Sequence, residues 1–145
     1  AAETGHLVLA TMHSNDAVQA IDRIVDVFQA HQQGQARAQL ASRLLGVVSQ
    51  RLLPKKGGGL VPAFELMVAN PAIRNLIREA KMHQARGTME TSRRDGMRTM
   101  DMALRELYEN SLVEYEDVLR YLDNPRAIQG PGAGMTSPPR RPGNR

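Results

Sequence analysis

The chain has 145 residues, no cysteine and only 3% aromatic residues, and its 19 Lys and Arg against 15 Asp and Glu give a formal net charge of +4. That length suits one ordinary domain with an appendage, and the missing cysteines exclude a disulfide framework or a cysteine zinc site, which fits a cytosolic setting. No apolar run approaches the roughly 20 residues that span a bilayer, and no signal-peptide pattern opens the chain.

The first predicted element is a strand. His6-Leu7-Val8-Leu9-Ala10-Thr11 is short, aliphatic and polar only at its ends, which suits a strand buried on both faces of a parallel sheet. His13 then sits at the strand's C-terminal edge, where open α/β sheets place ligands. Ser14, Asn15 or Asp16 caps the helix that follows. The chain does not begin with methionine, and the run at its front reads as a piece of a larger protein.

Ala17, Ile21, Ile24, Val25 and Phe28 recur at helical spacing and predict one amphipathic helix. Gly34 is expected to interrupt, with a second helix carrying Ala36, Leu40, Leu44, Val47 and Val48 and running into Leu52-Leu53. The stretches Val47–Leu53 and Leu60–Val68, separated by Pro54 and Gly57-Gly58-Gly59, also have the pattern of a hairpin with a glycine turn. Asn70-Pro71 is a cap followed by proline at the first helical position. From there the chain reads as helical, with a break expected at Gly87, a helix carrying Met97, Met100, Leu104 and Leu107, and a short one at Val118–Leu122. Gln129–Arg145 lacks apolar content and is expected to be a disordered tail.

Chemistry is sparse at the level of spacing. No G-x-x-x-x-G-K-[ST] occurs, so the chain cannot by itself wrap nucleotide phosphates. His6, His13, His31 and His83 have neither the spacing nor the acidic company of a metal site, and none is expected. Glu65 stands apart among the carboxylates: within Phe64-Glu65-Leu66-Met67-Val68 it either points to solvent by alternation or is half-buried against an arginine. The body of the chain is nearly neutral, since Arg140, Arg141 and Arg145 supply three positives at the end. Few rings are available for stacking, which argues against nucleic-acid binding.

Three blocks together resemble one family. They are Thr4-Gly5-His6-Leu7-Val8 through Thr11-Met12-His13-Ser14, then Ile21-Asp22-Arg23-Ile24-Val25-Asp26-Val27-Phe28, and Ala72-Ile73-Arg74-Asn75-Leu76-Ile77-Arg78-Glu79. From Ala1 to about Asn124 the chain resembles the C-terminal part of the PilT-type ATPases, the retraction motors of type IV pili and twitching motility. The absence of cysteine favours this branch over type II secretion ATPases, which usually carry a cysteine metal-binding insert. The resemblance implies an α/β fold: the C-terminal portion of a RecA-like P-loop ATPase core over 1–69, a helical subdomain over 70–128 and the tail 129–145. It implies a cytoplasmic hexameric ring at the inner-membrane pilus platform, without membrane insertion, and ATP with Mg²⁺ in the complete protein but none on the isolated segment.

By the same resemblance His13 belongs to the family's His box near the terminal phosphate, with Ser14 beside it and Arg23 in the segment that follows. Ala72 to Glu79 matches the surface helix motif AIRNLIRE associated with retraction, and Gly96-Met97-x-Thr99-Met100 matches the start of a later helix. The box reads TMHS where the family more often has TLHT, and Gln29 stands where proline is common. Without Walker A or Walker B, the isolated chain is expected not to hydrolyse ATP. The alternative is a non-enzymatic helical adaptor or nucleic-acid-binding module using Arg74, Arg78, Arg93, Arg94 and Arg98 as a basic surface. The two readings separate on the strand His6–Thr11, which a cut-out motor segment should leave without sheet neighbours.

Overall fold

In the computed structural model, which describes residues 4–124 and 128, six α-helices accompany one β-hairpin. The order is α1 (Ala17–Asp26), α2 (Ala30–Arg43), β1 (Gly46–Pro54), β2 (Leu60–Val68), α3 (Pro71–Arg78), α4 (Ala85–Thr91), α5 (Met100–Glu109) and α6 (Tyr115–Leu119). Short 3₁₀ turns at Met82–Gln84 and Arg93–Asp95 flank α4. The segment expected to be disordered, 129–145, lies outside the described residues.

The strands pair antiparallel from Gly46 opposite Val68 to Pro54 opposite Leu60. Gly57, Gly58 and Gly59 all have positive φ, at 85°, 107° and 80°, a run that only glycine adopts without steric cost. Gly46 is needed for another reason: a Cβ there would sit 2.8 Å from the Met67 carbonyl oxygen.

Alternation makes the hairpin two-faced. Ser49, Leu53, Ala63, Glu65 and Met67 point inward and are buried, whereas Val48, Leu52, Leu60 and Phe64 are 65%, 50%, 63% and 43% exposed. The inward face feeds two apolar cores. Met67 joins Ile21, Ala41, Ile73, Ile77, Met89 and Met97 in one. Leu53 and Ala63 join Met100, Leu104, Val113 and Val118 in the other.

Several expectations need correction. His6–Thr11 is not a strand: it runs exposed, with Leu9 90% accessible, and neither described strand pairs with it. Helix α2 passes straight through Gly34 and α4 through Gly87. A helical glycine costs only about 1 kcal/mol, less than the packing of Ala36 and Ala41, or of Ala85 and Met89, supplies around it. Val47 and Val48 belong to β1, not to the preceding helix, as β-branched residues on a half-buried sheet favour.

The caps of α1 and α3 fall where the sequence places them, whereas Met97, expected on the helix of Met100 and Leu104, precedes it because Thr99 caps that helix at Met100. The Asp16 carboxylate accepts from the Gln19 N–H at 2.8 Å, the Asn70 side chain accepts from the Ile73 N–H at 3.0 Å, and Thr99 caps α5 after a left-handed Gly96. Truncating the fully buried Ile77 to alanine is expected to cost about 2–5 kcal/mol in chemical denaturation. Val48→Ala, on the open face, should leave the midpoint almost unmoved.

Candidate functional site

His13 lies on the exposed extended segment just before α1, with Ser14 half-exposed beside it. Its surroundings hold the backbone and leave the imidazole free to solvent. The Arg23 guanidinium, one face along α1, donates to the His13 carbonyl. Arg51 of β1 donates to the Asn15 carbonyl at 3.3 Å while its guanidinium stacks 5.0 Å over the Tyr121 ring. The Ala17 N–H donates to the Glu65 carboxylate at 2.7 Å. His13, Ser14 and Arg23, which the sequence singled out, therefore do come together. Arg51 and Glu65, which bear on the same segment, were not foreseen in that role.

Neither alternative weighed for Glu65 holds. Alternation from Ala63 and Met67 turns it inward, and its partners are backbone amides, not an arginine. One oxygen accepts from Ala17 and the other from the Met100 N–H at 3.1 Å, so one carboxylate meets the first turns of α1 and α5. Both donors are among the N–H groups that a helix start leaves without internal partners, and the positive ends of two helices favour the anion. Burial nevertheless pushes the carboxyl above the ordinary glutamate value of 4.5, against the pull of the two amides, with Asp16 and Asp123 adding to the rise.

The motif Ala72–Glu79, on α3 and its C-cap, divides by face. Ile73 and Ile77 are buried and Leu76 is half-buried, while Ala72, Asn75, Arg78 and Glu79 are exposed. Arg74 and Arg78 do not share one free surface. Arg74 is half-buried and donates to the Ala41 carbonyl and, at 2.9 Å, to the Leu44 carbonyl, closing the C-terminal end of α2. Arg78 donates to Asn75 on its own helix at 3.3 Å and acts on the neighbouring Glu79 carboxylate. Of the basic surface considered for a binding module, Arg98 pairs with Glu106 at 2.9 Å. With Arg74 also engaged, the adaptor or nucleic-acid alternative is not favoured.

The family described as Type II/IV secretion system protein matches residues 1–102. The chain is 47% identical over 117 residues to the type IV pilus retractation ATPase PilT of Pseudomonas aeruginosa, covering 81% of this chain and 34% of that protein. It is 43% identical over 129 residues to a twitching motility protein of Neisseria gonorrhoeae, covering 88% and 34%. The crystal structure of the pilus retraction motor PilT with bound ADP superposes with a TM-score of 0.77 at 46% identity, over 87% of this chain and 35% of that one. A Yersinia pseudotuberculosis ATPase, DotB, shares the fold at a TM-score of 0.70 and 22% identity. The chain thus spans about a third of the length of the relatives it matches.

Because the folded Glu65 carboxyl binds its proton more tightly than the unfolded one, its contribution to stability is fully present below pH 4.5 and is lost as pH rises through the raised value. The difference in unfolding free energy between Glu65→Gln and the unaltered chain, followed by denaturant titration at several pH values, should change across that window and be flat outside it. A difference independent of pH would mean that the carboxyl is not perturbed.

Proposed function

Since the chain belongs to the type II/IV secretion system protein family, in its PilT-type branch, we propose that it serves as part of a hexameric cytoplasmic motor that couples ATP hydrolysis to type IV pilus retraction. Within that motor, residues 1–69 belong to the RecA-like core and 70–128 to a helical subdomain, packed together through the two-faced hairpin. The inner-membrane pilus platform is the partner on which it acts.

The described residues do not fit a complete nucleotide site. The sequence has no phosphate-cradling loop, and among the described residues no group of three or more His, Cys, Asp or Glu could hold a metal ion. ATP and Mg²⁺ are therefore held chiefly by other residues of the motor. What this chain offers is His13, and Ser14 beside it, on a backbone fixed through Arg23, Arg51 and Glu65. That arrangement, an exposed imidazole on an anchored backbone, carries the reading: the backbone is held while the ring stays open to a ligand. One hydrogen bond to a charged phosphoryl oxygen is worth about 1.5–3 kcal/mol, enough to bias a two-state arrangement of the motor.

In a complete motor containing these residues, His13→Ala should lower kcat by roughly ten- to a hundredfold while leaving nucleotide Kd nearly unchanged. Equal losses in binding and turnover would make the histidine structural. Along the motif Ala72–Glu79, the retraction role falls to the exposed face. Arg78→Ala is expected to leave melting and nucleotide binding intact and to stop retraction in cells at normal protein levels, whereas Arg74→Ala should cost about 1–3 kcal/mol of stability by uncapping α2.

A further inference from the structure

His13 to Asp16 belong to no helix or strand, yet three side chains hold that segment and the helix start behind it. Arg23 acts from within α1 and Arg51 from β1. Arg51 also stacks on Tyr121, just past α6, whereas Glu65 binds the first turns of two helices, through the Ala17 N–H at 2.7 Å and the Met100 N–H at 3.1 Å. We propose that Glu65 is a positioning residue that couples the His13–Asp16 segment to the first turn of α5, so that a displacement at either helix start is passed to the other.

The caps of the two helices leave this task to Glu65. Asp16 serves the Gln19 N–H and Thr99 serves the Met102 N–H, so neither cap holds Ala17 or Met100. Both of those residues are buried, at 0% and 4% exposure, and a bond lost there is not replaced by water. Glu65 itself is fixed in the centre of β2, opposite Ser49, at the junction of the two apolar cores. The charged groups facing it are Asp16 ahead of α1 and Asp123 beyond α6; both are acidic, so neither replaces the amides as a partner.

The functional meaning of this coupling rests on the reading of His13 given above, but its test requires no nucleotide. Amide hydrogen exchange is measured by NMR on the 145-residue chain, with the Ala17 rate taken relative to that of Ile77, a core amide outside the bridge. Thr99→Ala removes the cap of α5 and should raise the relative Ala17 rate severalfold although Thr99 and Ala17 lie at different helix starts. The same substitution in a Glu65→Gln background should leave that ratio unchanged. In an Arg74→Ala background, which lowers stability without touching the bridge, the rise should persist. No effect of Thr99→Ala on Ala17, or an equal effect with and without Glu65, would overturn the coupling. Should Glu65→Gln fail to fold, the unaltered chain and Thr99→Ala are compared below and above the titration of Glu65. Transmission must then weaken on protonation, and transmission that is equal at both pH values overturns the proposal. Since turnover is never measured, a loss of coupling and a silent His13→Ala are separate results.

Discussion

A single buried carboxylate meeting the starts of two helices organises this structure. Desolvating an anion is unfavourable, and the two backbone amides of Ala17 and Met100 offset part of that cost. For both oxygens to accept, α1 and α5 must each begin within hydrogen-bonding reach of the centre of β2. That requirement fixes the approach of the chain into α1, where His13 lies, and the end of the turn at Gly96–Thr99, where α5 starts. The position of Glu65 on β2 follows in turn from the hairpin register, which the glycine turn and the close approach at Gly46 set.

Around this contact the hairpin acts as a shared wall. Its inward face supplies Met67 to one core and Leu53 and Ala63 to the other, with Glu65 between them. A backbone bridge from Leu66 to Arg98 extends the outer edge of β2, while Arg86 ties Asp101 of α5 to Asp123 near the end of the described chain. The helical part after residue 70 is therefore held to the hairpin by apolar packing, by backbone pairing and by Glu65 together. Movement at the His13–Asp16 segment has a mechanical route to those helices that does not require the chain to unfold.

Much of this was legible in the residues because local chemistry decided it. The glycine turn, the Asn70-Pro71 start, the capping aspartate before Ala17 and the amphipathic α1 all follow from preferences that act within a few positions. What was not legible depended on neighbours distant in sequence. Gly34 and Gly87 stay helical because packing outweighs their modest intrinsic cost. His6–Thr11 has strand composition but pairs with neither described strand, and composition alone cannot supply a partner. Alternation from Ala63 and Met67 could have turned Glu65 inward. Its partners, 48 residues before it and 35 after it, carry no sequence signal because they are backbone groups. The same holds for Arg74, whose acceptors are carbonyls at the end of another helix.

The central claim is that one ionised carboxylate accepts from both helix starts at once. It is tested most directly by NMR detection of scalar couplings across hydrogen bonds, from the Glu65 side-chain carboxyl carbon to the amide nitrogens of Ala17 and Met100, at a pH above the carboxyl's titration. The account predicts correlations to both amides in the same sample, with the correlation through the oxygen that takes up the proton weakening as Glu65 is protonated. A correlation to only one amide, or to neither, while the protein remains folded would contradict it.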